Sequence, residues 1–212
     1  MDTGEQPVKE QWYAVKVFYN KVFQMEDILL DMGLETYLAV QKVQLQGKEH
    51  MAAARKLASV APGHRPESCY IQEGPVIYER KPLISSLIFV KASPDCILEV
   101  NERLKNDSAG LRPLGFIYKT ADWKSFAVIP DDQMVSFRLI TQNGAEGLEF
   151  FPGGEVYYRR GDKVRVTGGP LKGAEGYVKR IKKDRRLLVR IEGIIAVASS
   201  YIPKDLLVKV EE

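Results

Sequence analysis

The stretch GDKVRVTGGPLKGAEGYV, Gly161 to Val178, places five glycines and a proline in eighteen residues, the composition of a loop that could cradle a phosphate. A nucleotide-binding P-loop needs two glycines five apart, then a lysine for the β- and γ-phosphates and a hydroxyl for magnesium. Gly168 and Gly173 meet the glycine spacing, but Ala174 and Glu175 follow them. A carboxylate there repels a nucleotide. A P-loop also leads into a helix, whereas Gly176, Tyr177 and Val178 resume a strand pattern. The glycines are therefore read as serving a turn: Gly168 and Gly169 permit a tight reversal, Pro170 stiffens it, and Gly173 and Gly176 allow close backbone approach.

Outward from this turn lie the apolar runs VRV, GYVKRI, RLLVRI and IIAVASS, separated by Gly, Lys and Asp. They belong to an expected five strands in about fifty residues, a small β-barrel. Their valine and isoleucine content favours strands over a helical alternative for the same segment. Upstream, TQNGAEGLEFFPGGEVYY carries four glycines and little periodicity, which marks a domain boundary over 143–158. Leu148, Phe150 and Phe151 argue against a wholly flexible linker.

The amino-terminal part alternates strands and helices. QWYAVKVFY, Gln11 to Tyr19, reads as a strand with Trp12, Ala14, Lys16 and Phe18 on one face and Tyr13, Val15, Val17 and Tyr19 on the other. Asn20 is placed to cap a helix whose apolar positions Val22, Met25, Ile28, Leu29 and Met32 recur at helical spacing, and Gly33 suits the position past its end. ETYLAVQKVQL returns to strand character. Residues 41–82 are less regular, a short helix over KEHMAAARKLASV and then breakers alternating with apolar pairs, and read as an excursion from the core. LISSLIFVKA, Leu83 to Ala92, is a second strong strand. Pro94 can open a helix carrying Ile97, Val100 and Leu104, RPLGFIYKTADWKSFAVI reads as paired short strands, and Pro130 with Asp131 and Asp132 starts a helix running to about Ile140. The fold class is α+β: an α/β domain over 1–142, a linker over 143–158 and a barrel over 159–212.

Composition bounds the function. The 212 residues are 45% hydrophobic, ample for a buried core. No apolar run reaches the roughly 18 to 20 residues of a membrane span, and the polar start MDTGEQPVKEQ lacks the layout of a signal peptide, so a cytoplasmic protein is expected. Cys69 and Cys96 stand apart from any CxxC pair or histidine cluster, which supports neither a disulfide framework nor a metal site. His50 and His64 have no nucleophile or orienting acid beside them in sequence, so no enzyme and no cofactor is expected. Cut near residue 158, the chain carries 17 basic against 21 acidic residues before the cut and 14 against 7 after it, a net −4 and +7. The second half thus favours phosphate backbones or acidic surfaces. The run KRIKKDRR concentrates that charge in Lys179, Arg180, Lys182, Lys183, Arg185 and Arg186, candidates to meet RNA, DNA or an acidic protein face. It has no interleaved aromatics, which argues against base-specific reading of a single strand.

Gly161, Asp162, Val164, Arg165, Val166, Gly169, Pro170, Gly173, Gly176 and Val178 together resemble the KOW motif of SH3-like barrels. The amino-terminal half resembles the NusG amino-terminal domain through Trp12 and Tyr13, the helix closed by Gly33, the following ETYL, KPLISSLIFV and VIPDDQMVSF, so the resemblance covers nearly the whole chain. GPLKG and IPDDQMV are most similar to the UpxY antiterminators of capsular polysaccharide operons. The chain departs from the family pattern at Ala39, Ser85 and Ser86, and reads Leu98, Glu99 and Val100 where some specialised members carry a His-Thr-Thr patch.

What the resemblance implies is a transcription elongation and antitermination factor. In that family the amino-terminal sheet, an antiparallel sheet flanked by helices, lies on the clamp helices of RNA polymerase and suppresses pausing without covalent chemistry, while the barrel recruits Rho or a ribosomal small-subunit protein. Carried over by position, the polymerase contacts fall on Lys16, Leu87 and Phe89, with Phe18 sharing the face of Lys16 and Ile84 nearby. Lys21 is the positional candidate for non-template DNA, nascent RNA being the other nucleic-acid partner. The family acts as a monomer on polymerase. The alternative is a ribosome-associated or RNA-binding KOW protein, which would leave the amino-terminal apolar strand face without a purpose.

Overall fold

The computed structural model describes residues 9–60, 69–105, 112–143, 147–153, 162–181 and 184–210, in two compact units, 1–117 and 118–212. The first unit runs β1 (Gln11–Val17), α1 (Val22–Asp31), β2 (Glu35–Tyr37), β3 (Val40–Gln44), α2 (Gly47–Ala58), β4 (Tyr70–Glu73), β5 (Val76–Pro82), β6 (Leu87–Ala92), α3 (Pro94–Leu104) and β7 (Gly115–Ile117). Its main sheet is antiparallel in the order β2-β6-β1-β7. The inner strands β1 and β6 each hold four consecutive buried residues, Trp12 to Val15 and Leu87 to Val90. Successive side chains point to opposite faces, so both faces of the sheet are covered. Helices α1 and α3 lie against β6 and share an apolar crevice lined by Met25, Leu29, Val100 and Leu104.

Local chemistry explains the helix ends. Ser93 caps α3 by accepting the Cys96 N–H at 3.2 Å, with Pro94 in the first turn and Arg103 in the last. Gly33 closes α1 in the left-handed conformation, φ +77°. At the start of α1 the cap is Lys21, without a side-chain bond, and Asn20 precedes it at φ +55°. Asn20 therefore shapes the entry to the helix instead of capping it.

Residues 41–82 are more regular than their sequence suggests. Strands β3, β5 and β4 form a separate antiparallel sheet in that order, closed by α2 over Leu45, Ala53 and Ile77. The breakers Gly74 and Pro75 are the turn between β4 and β5, Gly74 taking φ +61°, so the residues that interrupt the pattern make the hairpin. Arg80 of β5 fastens this sheet to α1 through two bonds to Glu26, 2.7 and 2.9 Å. The side chains are 14% and 7% exposed, and the guanidinium lies 5.4 Å from the Phe23 ring centroid.

The second unit contains β8 (Val128–Ile129), α4 (Asp131–Asn143), β9 (Glu149–Pro152), β10 (Lys163–Val166), β11 (Glu175–Ile181), β12 (Asp184–Ile191), β13 (Ile195–Tyr201), a 3₁₀ turn (Lys204–Leu206) and β14 (Leu207–Lys209). Its sheet is antiparallel in the order β14-β10-β11-β12-β13-β9. The runs VRV, GYVKRI, RLLVRI and IIAVASS are β10 to β13, and β14 is the fifth strand of the expected five. The sixth, β9, falls where a linker was expected, and pairs Phe150 with Val197 and Phe151 with Ala196. Helix α4 lies against β11, β12 and β13, and its Ser136 hydroxyl accepts the Glu175 N–H at 3.0 Å. The compact units accordingly divide after Ile117, upstream of the 143–158 boundary, and α4 goes with the strands that follow it.

The glycine-rich loop joins β10 to β11, two strands, as its sequence requires. A Cβ on Gly176 would sit 2.3 Å from the Leu188 carbonyl oxygen, so strand β12 can approach only a glycine. Gly173 acts differently from expectation. It is needed for φ +92°, with no neighbour nearer than 4.0 Å to a built Cβ.

Candidate functional site

The sheet margin where β1 runs out collects three of the five residues expected to meet polymerase, Lys16, Phe18 and Ile84. Register sets Lys16 opposite Leu87 on one side and Phe116 on the other, so the three share a face. The Lys16 ammonium donates to the Ser86 hydroxyl at 2.8 Å, and the Val17 N–H donates to the Ser86 carbonyl at 2.9 Å. The half-buried Ile84 belongs to the same turn before β6. Ser86 thus forms a polar clip that orients Lys16, and Ser85 beside it is exposed.

Leu87 and Phe89 are placed otherwise. They are 4% and 1% exposed, on a strand flanked by β1 and β2, with Phe89 between Ala14 and Tyr37 in register and the Tyr37 ring 6.4 Å away. An inner strand with both faces covered offers no side chain to a partner, so these two residues are core. The accessible residues are Lys16, Phe18 and Ile84, joined by two that strand alternation did not bring forward. Phe18 stacks against Phe116 at 5.9 Å and Tyr19 at 6.0 Å. Tyr19 is 58% exposed and Phe116 44%.

Alternation assigns Phe18 and Tyr19 to opposite faces. The chain overrides it because Tyr19 and Asn20 adopt left-handed backbone, φ +57° and +55°, a conformation rare for a bulky residue and costing about 1–3 kcal/mol. That twist swings the Tyr19 ring onto Phe18 and sets the entry to α1. Lys21 follows at the helix cap with no acidic residue in the first turn. A cation at the positive end of a helix raises the local potential instead of neutralising it. The margin therefore presents aromatic surface beside Lys16 and Lys21, a chemistry suited to an apolar partner with acidic flanks.

The basic hairpin is divided by its own pleat. Arg180 lies opposite Arg185 and Lys179 opposite Arg186, so the two pairs point to opposite faces. Arg186 is committed internally: its side chain is 13% exposed and bridges to Glu149 at 3.0 Å, fixing β9 to the sheet. It is a structural residue. Arg180 is exposed and Arg185 half-buried, and like charges directly opposite across strands destabilise the pair unless an anion screens them. Lys182 and Lys183 lie outside the described residues. Glu175 receives the Arg165 guanidinium, Nε at 2.7 Å, and Lys163 at 3.4 Å, and the Arg165 bond above all holds its carboxyl below the usual range.

Among the described residues no three of His, Cys, Asp and Glu gather as a metal would require. His50 Nε2 rests 3.1 Å from the Pro75 carbonyl, against the β4–β5 turn, while His64 lies outside the described residues. No described helix is long and apolar enough to cross a membrane.

No protein-family model matches the chain, and no curated protein does. Among solved structures, one titled "Domain interaction in Thermotoga maritima NusG" is similar over 96% of this chain and 98% of that one, at 16% identity and a TM-score of 0.41.

Proposed function

We propose that this chain is a transcription elongation and antitermination factor that docks on RNA polymerase through the margin formed by Lys16, Phe18, Tyr19, Ile84 and Phe116. The observation that carries the reading is the Phe18, Tyr19 and Phe116 cluster: Phe18 touches both other rings, and those two are well exposed, at the strand end where the sequence resemblance positions the polymerase contact. Exposed aromatics held by neighbouring rings are pre-ordered anchors, and ordering them beforehand removes an entropic cost of binding. Lys16 and Lys21 add selectivity for an acidic helical surface such as a coiled-coil tip. Binding that is tighter in the elongating than in the paused enzyme would shift the polymerase toward elongation, with no cofactor and no covalent step.

In this reading the second unit supplies a recruitment surface for Rho or a ribosomal small-subunit protein. The Arg180 and Arg185 pair, the first exposed and the second half-buried, is the side of the hairpin that would meet it. The finer placement among UpxY antiterminators of capsular operons rests on the GPLKG and IPDDQMV stretches, and action as a cytoplasmic monomer on the sequence composition and the family resemblance. The test is co-purification of the full chain with bacterial core polymerase, comparing wild type with Tyr19→Ala/Phe116→Ala. Retention that falls in the double variant supports the reading. Wild-type chain that ignores polymerase and sediments with ribosomes would transfer the function to the KOW-like strands.

A further inference from the structure

A second exposed aromatic stands away from that margin. Trp123 is 74% exposed, at the tip of the loop between β7 and β8, and its backbone is left-handed, φ +60°. The loop that holds it is tightly built. The Thr120 N–H donates to the Ser125 carbonyl at 2.9 Å and the Trp123 N–H to the Thr120 carbonyl at 2.9 Å. The Thr120 hydroxyl donates to Asp122 Oδ1 at 2.5 Å and accepts the Ser125 N–H at 3.3 Å. Asp122 Oδ1 also accepts the Lys124 N–H at 3.2 Å, and Lys119 bridges to Phe126 below. A bulky residue in left-handed backbone persists where its surroundings over-determine it, and such positions gather at binding sites.

The surroundings of the indole indicate what it would meet. Residues 121 to 125 are all exposed, so the loop itself supplies no buried apolar rim of the kind that keeps water from a protein–protein anchor. It offers a free π-face instead. The Asp122 carboxylate is turned into the loop, where the Thr120 hydroxyl and then the Lys124 N–H hold its carboxyl below the usual range. Lys119 and Lys124 are exposed and make no ion pair among the described residues, so one short loop carries an exposed indole and two exposed ammonium groups. An unstacked base with its flanking phosphates matches that pattern, whereas bases within a duplex are already stacked. We infer that Trp123, with Lys119 and Lys124, is a stacking site for single-stranded nucleic acid. The inference rests on this loop alone, and Phe18 and Phe116 take no part in it.

The chain carries its own reporter, since of its two tryptophans Trp12 is 5% exposed and Trp123 is 74% exposed. The full-length protein would be titrated with an oligothymidylate of about 15 nucleotides, the upper range for one small fold, and with a duplex of the same length, following tryptophan emission and anisotropy of a labelled oligonucleotide. Expected are quenching by the single strand, binding weakened about 5- to 150-fold in Trp123→Ala, and recovery in Trp123→Phe. Lys119→Ala/Lys124→Ala should lower the slope of log K against log salt by about 1.4. Wild-type affinity in Trp123→Ala, preference for the duplex, or binding lost only on replacing Arg180 and Arg185 would each overturn the assignment. Polymerase retention by Trp123→Ala separates a failure here from a failure of the docking margin.

Discussion

Phe89 and Phe116 lie on one face of one sheet, yet truncating them should have opposite consequences. Phe89 is 1% exposed, between Ala14 and Tyr37. Its replacement by Ala forfeits the transfer energy of a buried ring and leaves a cavity that inner strands cannot close, together about 3–5 kcal/mol. At about 2–4 °C per kcal/mol for a chain of this size, melting followed by circular dichroism should fall by about 10 °C. Phe116 is 44% exposed on a short outer strand, so Phe116→Ala should cost about 1 kcal/mol in stability. As a central aromatic anchor it should cost about 2 kcal/mol or more in polymerase affinity, roughly 30-fold. The paired assay is melting beside co-purification with core polymerase. A Phe89→Ala chain that melts like wild type but releases polymerase would refute the burial argument, and a Phe116→Ala chain that holds polymerase would refute the docking margin.

Three further outcomes follow from the packing. Glu26→Gln should destabilise the first unit by about 1.5–3 kcal/mol, because it replaces the two charge-assisted bonds between a buried carboxylate and the Arg80 guanidinium with neutral ones; urea denaturation checks this, and a change under 1 kcal/mol would contradict it. Gly176→Ala forces a Cβ to within 2.3 Å of the Leu188 carbonyl, and overpacking of this kind costs about 1–3 kcal/mol, visible as lost amide-exchange protection across β11 and β12. Glu175 has a folded-state pKa below its unfolded value, so its stabilisation is fully present above the unfolded value, about pH 4.3, and is lost as pH falls through the lower folded value. Glu175→Gln should therefore flatten the acid limb of a stability-against-pH curve and leave its neutral-pH shape unchanged.

Local signals in the sequence carried most of the architecture. Period-2 runs became β1, β6 and β10 to β13, the Pro94 signal opened α3 and Gly33 closed α1 where propensity places them, and Ala174-Glu175 ruled out a P-loop because that test depends only on chemistry at fixed spacing. Residues 41–82 were harder to read because Gly74 and Pro75 look like disorder until the strands on either side are seen to pair. The site was legible in part. Lys16, Phe18 and Ile84 of the proposed margin were pointed to by alternation and resemblance, whereas Tyr19 was hidden by a two-residue reversal of backbone hand and Phe116 by a register that only the folded sheet defines.

Sequence by itself determined which segments extend, which coil and where cations concentrate, since those depend on neighbours a few residues away. It could not determine which apolar side chains remain exposed. Leu87 and Phe116 are both large hydrophobics facing the same way, and what separates them is strand order, β6 inside and β7 outside. Tertiary structure likewise took Arg186 from the basic surface, by placing Glu149 against it, and joined α4 to strands that follow it by dozens of residues. Burial is a property of what lies across a sheet or over a face, and distant parts of the chain supply that cover only after it has folded.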